Sequence, residues 1–272
     1  MKISRILTSL ALIFQIGSCY IHAETLSATS VDEKQELKIP YGLPPIPWPK
    51  DNPYTPEKAE LGRLLYFDTR LSTDGTVSCA SCHAPSETFS DRRPVSIGIQ
   101  RQKGIRHSMT IINSAYQPIL FWDGRAKTLE EQSKGPIANP KEMTLFQNAH
   151  EAHWKCEQRI REIEGYQILF KKVFNDDVIT IDDIAQAIAT FERTVLSGNS
   201  PYDRYIKGDL TAMTAEQIHG YKIFSTKGCI DCHHGINFSS GEFTNIGVGM
   251  NVHNPDLGRY VITKKKKRLG GI

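Results

Sequence analysis

Cys79-Ala80-Ser81-Cys82-His83 and Cys229-Ile230-Asp231-Cys232-His233 are two copies of one pattern: cysteines three positions apart, followed at once by a histidine. Thiols at i and i+3 lie on one turn of backbone, where each can add to a vinyl group of haem. The adjoining imidazole is then placed to ligate the iron. Zinc is one competing reading, but it takes four ligands and usually a second C-x-x-C or H-x-x-H close by, which neither copy has. Thiol redox chemistry is another, and it belongs with a βαβ setting for which the sequence shows no pattern. With six cysteines and nine histidines in 272 residues, roughly 0.004 chance copies are expected. Two covalently bound haem c groups are therefore expected, attached through Cys79, Cys82, Cys229 and Cys232, with His83 and His233 as proximal iron ligands.

Outward from these motifs the sequence reads as helix. Thr55 can cap a helix that has Pro56 at its first position, and Ala59, Leu61, Leu64, Leu65 and Phe67 give that helix an apolar face ahead of the first motif. Thr128 to Glu131 has the form of a capping box. Thr180 precedes a helical repeat of Ile181, Ile184, Ala185, Ile188, Phe191 and Val195. Thr214 with Gln217 starts another helix, which Gly228 ends just before the second motif. A glycine then a phenylalanine precede each motif on the helix leading to it, Gly62 with Phe67 and Gly220 with Phe224, as in a weak internal repeat. Strand-like alternation is scarce. The expected fold is mostly α, with two cytochrome c-type haem domains in tandem: residues 24–200 around the first motif and residues 201–272, incomplete, around the second.

Residues 1–23 have the form of a secretory leader, with Lys2 and Arg5 ahead of a short apolar run and Ala23 at its end. Export to the periplasm is the expectation. The alternative is a lipid anchor on Cys19, which follows a lipoprotein-like Ile16-Gly17-Ser18. Loss of Lys2 and Arg5 lowers the formal charge from +3 to +1, which leaves no case for nucleic-acid binding. Residues 264–268 are a cationic run of the kind that is usually a solvated tail. Residues 24–55, rich in proline, are expected to run extended over the surface. Cys156 is left without a partner and reads as a free thiol, while His150 and His153 read as solvent-facing helix residues.

A multi-haem electron wire packs its cofactors densely, whereas about 145 residues separate the motifs here, enough to build a pocket around one haem. The stretches LGRLLYFDTRLSTDGTVSCASCH (61–83), RPVSIG (93–98), FWDGRAKTLEEQSKGPIANPKEM (121–143), KGCIDCHHGINF (227–238), NIGVG (245–249) and DLGRY (256–260) resemble the bacterial di-haem cytochrome c peroxidases, with the related methylamine-utilisation maturation enzymes. The resemblance implies that the His83 haem reduces hydrogen peroxide. It also implies that the His233 haem takes electrons from a small cytochrome c or cupredoxin, and that Trp122 lies between the two. Glu142 matches the acid–base glutamate of the peroxide pocket, and Gln132 matches a glutamine that hydrogen-bonds the ligand. A calcium ion is a further family trait, but His107 stands at its matched side-chain position. Calcium prefers oxygen, so a weak or absent site is implied. A homodimer stays open.

Two departures from the family matter. Ile99 occupies the place of a histidine that ligates the first iron from the far side, so an open sixth position at rest is expected. The segment beyond DLGRY in which relatives carry a Met or Tyr has no counterpart here. Met250 is the one later methionine, in a glycine-rich stretch that resembles no ligand segment. The lysine run before the final residues has the look of a reading-frame slip, and an incomplete second domain is the expectation. Three readings follow: a peroxidase, an enzyme oxidising a protein substrate as in the maturation branch, and a non-catalytic electron-transfer cytochrome.

Overall fold

Thr55 accepts a hydrogen bond from the Lys58 amide and Pro56 supplies the first helical residue, so the first helix, α1 (Pro56–Phe67), begins where its cap dictates. The computed structural model describes residues 37–265. Along them follow α2 (Leu129–Ile137), α3 (Ala149–Arg161), α4 (Glu164–Phe174), α5 (Ile181–Thr194), α6 (Pro201–Ile206), α7 (Ala215–Thr226) and α8 (Tyr260–Thr263), with six short 3₁₀ turns between them. Among the described residues there is no sheet, only three isolated bridges. The mostly α fold is as expected. The leader, Cys19 and the last residues of the cationic tail lie outside the described residues. No described helix is long and apolar enough to cross a membrane.

Among the described residues, the starts of α1, α2, α5 and α7 follow the caps read from sequence. Thr180 with Asp183 and Thr214 with Gln217 form reciprocal boxes. Thr128 caps α2 through the Glu131 amide, but the Glu131 carboxylate reaches past it to accept from the Lys127 amide at 2.8 Å. Gly228, at φ +85°, turns the chain into the second motif after α7 ends.

The first half packs around α5, which is buried nearly all round, so its interior side includes Thr190, Glu192 and Arg193 as well as Ile184 and Ile188. Helix α1 crosses it at Gly62, where an added Cβ would stand 1.8 Å from the Ala187 carbonyl oxygen. Only a residue without a side chain permits that approach. Leu61 and Leu65 of the expected apolar face are buried, but the crossing also buries Tyr66 and leaves Phe67 40% exposed. At the far side of α5 a polar network is sealed in: Lys58 donates to Asn52 at 2.9 Å, Asn52 donates to Glu130 at 2.7 Å, and Glu130 takes both guanidinium nitrogens of Arg193. Arg193 and Glu130 are paired and Lys58 is hydrogen-bonded, as burial requires.

Helices α3 and α4 close the core with Ala152, Cys156, Ile160, Tyr166 and Phe170. Cys156 is a free, fully buried thiol, pushed up to about 12 by burial. His150 is exposed, but His153 is half-buried and donates through Nε2 to the Lys134 carbonyl at 2.9 Å, which ties α3 to α2.

Gly62→Ala should lower stability by at least the ~1–3 kcal/mol typical of overpacking, because backbone must move. Gly220→Ala, with nothing within 4 Å of the added carbon, should be neutral or raise stability by up to ~1 kcal/mol through helix propensity. Urea unfolding of the two variants checks the contrast.

Candidate haem sites

The first motif sits on a 3₁₀ turn, Cys79–Ser81, entered through a box between Ser78 and Ser81. The His83 amide bonds back to the Cys79 carbonyl at 3.0 Å, and Tyr66 donates its hydroxyl to the His83 carbonyl at 2.9 Å. The turn is thus clamped to α1. His83 donates through Nδ1 to the Met109 carbonyl at 2.7 Å, which selects the tautomer whose Nε2 carries the lone pair for a metal. Burial holds this imidazole below its ordinary value, partly opposed by the Met109 and Phe89 carbonyls. The neutral form is the one that ligates. Burial likewise raises both Cys79 and Cys82.

These three side chains open onto a cavity of about 530 Å³, within the range of cofactor pockets. The same cavity is lined by Trp122, Gln132 and Glu142. Glu142 is held from three sides. Its Oε1 accepts from Asn139 at 2.5 Å, its carbonyl accepts from the Ile99 amide at 2.9 Å, and its Cα would lie 2.7 Å from any Cβ at Gly98. Burial raises its carboxyl above the ordinary value, against the pull of Arg125 and of the Asn139 hydrogen bond. Ile99 is wholly buried in the main apolar cluster. It anchors the 97–103 loop beneath Glu142 and presents no ligand atom. The residues fit a haem: paired thiols, an imidazole oriented for a metal, an apolar-walled cavity, and buried Ser114 Oγ and Glu192 Oε2 that both lack partners at its wall.

Trp122 donates its Nε1 to the His107 carbonyl at 2.7 Å. The turn carrying it is strained, with Phe121 at φ +63° and Gly124 at φ +65°. Asp123 in that turn accepts from Arg106 at 2.6 Å and from Arg125 at 3.0 Å. Arg106 also pairs with Asp256 at 2.6 Å, and Arg259 reaches the carbonyls of Asp123 and Gly124. The segment after the second motif therefore docks on the turn that holds Trp122. His107 spends Nδ1 on the Arg93 carbonyl and Nε2 on Ser90 Oγ.

The second motif repeats the local geometry of the first. Cys229–Asp231 form a 3₁₀ turn, the His233 amide bonds to the Cys229 carbonyl at 2.9 Å, and His233 Nδ1 donates to the Phe238 carbonyl at 3.2 Å. Cys229, Cys232 and His233 are exposed, apart from the first cavity. The sequence reading missed Tyr66, Ser114, Arg125 and Glu192. Glu192 carried a signal, since it falls one helical turn after Ile188 on the apolar stripe of α5.

A fold of helices around paired C-x-x-C-H turns defines a cytochrome c-like haem protein. Residues 56–211 match the family model for di-haem cytochrome c peroxidase. The chain is 40% identical over 213 residues to cytochrome c551 peroxidase of Nitrosomonas europaea, covering 78% of this chain and 62% of that protein. It is 38% identical over 247 residues to the methylamine utilization protein MauG of Methylophilus methylotrophus, covering 90% and 70%. A solved MauG-like protein associated with microbial copper homeostasis superposes with a TM-score of 0.73 at 29% identity, over 86% of this chain and 72% of that one. The chain belongs to the di-haem cytochrome c peroxidase family and spans 62% and 70% of the length of these two curated relatives.

Gly98→Ala should displace the 139–143 turn and destabilise by about 1–3 kcal/mol, whereas Gly104→Ala, 3.5 Å from its nearest neighbour, should be tolerated. Thermal melts of both variants test whether the loop is the support of Glu142.

Proposed function

We propose that this chain reduces hydrogen peroxide with electrons from a small cytochrome c or cupredoxin, as a di-haem cytochrome c peroxidase. One observation carries the reading: a single cavity collects Cys79, Cys82 and His83 with Glu142, Gln132 and Trp122, which come from separate segments. A haem held by Cys79, Cys82 and His83 supplies the redox-active iron. Two electrons and two protons convert one peroxide into two waters. Glu142, as carboxylate, takes a proton from one peroxide oxygen and delivers it to the departing one. Gln132 orients the peroxide through its carboxamide. Trp122, at the cavity wall and carried on the turn that the later segment grips, would be placed to pass electrons inward, and Cys229, Cys232 and His233 would hold the second haem that supplies them. The exposure of that second motif supports electron entry there.

Ile99, buried and without a donor atom, would offer no ligand to a haem held by His83. Calcium, where bound, takes no ligand from the His107 ring, whose nitrogens are already engaged. Export to the periplasm on residues 1–23 is part of the same proposal. The second reading, oxidation of a protein substrate as in the maturation branch, draws on the 38% identity to a methylamine utilization protein. Peroxide consumption that requires a reduced small redox protein separates the two.

Intact-mass analysis should show two haems added to the chain, with one lost in Cys79→Ser/Cys82→Ser and the other in Cys229→Ser/Cys232→Ser. Glu142→Gln should lower peroxide turnover by about 10²–10⁴-fold while both haems stay bound. Because the carboxylate is the working form and burial raises its pKa, wild-type kcat/KM should fall as pH drops through a value above the ordinary 4.5. The Gln variant should lack that limb.

A further inference from the structure

Glu192 is 4% exposed, lines the first cavity, and has an Oε2 with no hydrogen-bond partner. Ser114, 6% exposed, lines the same cavity with an unpartnered Oγ. An unpaired buried polar atom is costly, and two of them facing one cavity mark a place built for something polar. The neighbouring charges do not satisfy Glu192. Arg193, next to it on α5, is committed to Glu130 of α2 through both guanidinium nitrogens. Lys58 of α1 is spent on Asn52 and the Pro53 carbonyl. Tyr66 of α1 gives its hydroxyl to the His83 carbonyl, and Cys79 stands nearby as a thiol. Burial, with a smaller push from Glu130 and against Arg193, raises the Glu192 carboxyl to about 8. Burial thus favours its protonated form.

We infer that Glu192, seated with Ser114 at the wall of the first haem cavity, is a redox-linked proton site. Where its carboxylate form is present, Glu192 takes up one proton from solvent when one electron, delivered by the external donor, enters the cofactor beside it. It releases that proton when the electron leaves. In a low-dielectric cavity an added negative charge favours the neutral carboxylic acid, and the linkage is reciprocal: a proton on Glu192 favours the reduced cofactor. Glu192 is thus a positioning residue for charge and is distinct from Glu142, which meets the peroxide. The inference rests on the haem occupancy proposed above.

The test is spectroelectrochemical titration of the haem-loaded chain on both sides of pH 8, paired with reduced-minus-oxidised infrared difference spectra. One of the two one-electron components should fall in potential as pH rises, by at most 59 mV per tenfold change in proton activity. Glu192→Gln should flatten that slope and remove a redox-dependent carboxylic acid C=O band, and Glu142→Gln should keep both near pH 8. A slope and band unchanged in Glu192→Gln would overturn the inference, as would their absence from the haem-loaded wild type. The wild-type infrared spectrum decides the matter should the variant fail to fold. A wild-type chain carrying no haem would overturn the proposed function as well, whereas a loaded chain with a flat slope overturns this inference alone.

Discussion

The contact on which the rest of the first half depends is the crossing of α1 over α5 at Gly62. Helix axes usually stand 8–10 Å apart, and here a backbone carbonyl fills the space a Cβ would need. That closeness has two consequences. It turns Tyr66 inward, where its hydroxyl clamps the carbonyl of His83, and it seats the last turn of α5, with Glu192, at the wall of the cavity. Haem attachment side and buried acid are thus positioned by one helix–helix contact. The equivalent glycine of the second half, Gly220, meets no such neighbour among the described residues.

A second constraint is electrostatic. Asp123 is 5% exposed and is surrounded by Arg106 and Arg125, while Arg106 extends to Asp256. These hydrogen bonds hold both carboxyls below their ordinary range. The result is a hub at the strained turn carrying Trp122, on which the segment following the second motif is docked. An electron path between two haem-binding motifs needs fixed distances, and a buried ion-pair network resists the sliding that an apolar contact would allow. The residues that would carry electrons are held by residues that carry none.

The two acids at the cavity are tuned by similar means to different ends. Glu142 is half-buried, accepts a hydrogen bond from Asn139 and feels the charge of Arg125. Glu192 lies deeper, its neighbour Arg193 is committed to Glu130, and burial favours its protonated form. Burial raises both carboxyls, but only Glu142 has a hydrogen-bonding partner for its carboxylate.

The haem motifs, the helical class and half of the described helix starts were legible in the sequence, because each depends on residues within one turn of one another: C-x-x-C-H spacing, Thr caps, Pro56, Gly228. Glu142, Gln132 and Trp122 were legible only through resemblance to a family, since nothing in their local spacing says that they share a cavity. The sequence was silent on Tyr66 replacing Phe67 in the core, on His153 bonding to α2, and on the hub around Asp123. Those outcomes follow from which face of a helix is pressed against another, and from partners up to 150 residues apart. By itself, then, the sequence determined which atoms can bind haem, because that chemistry is local. Only the tertiary structure decided which carboxyl meets the cavity, which is buried without a partner, and which side chains are close enough to hold them there.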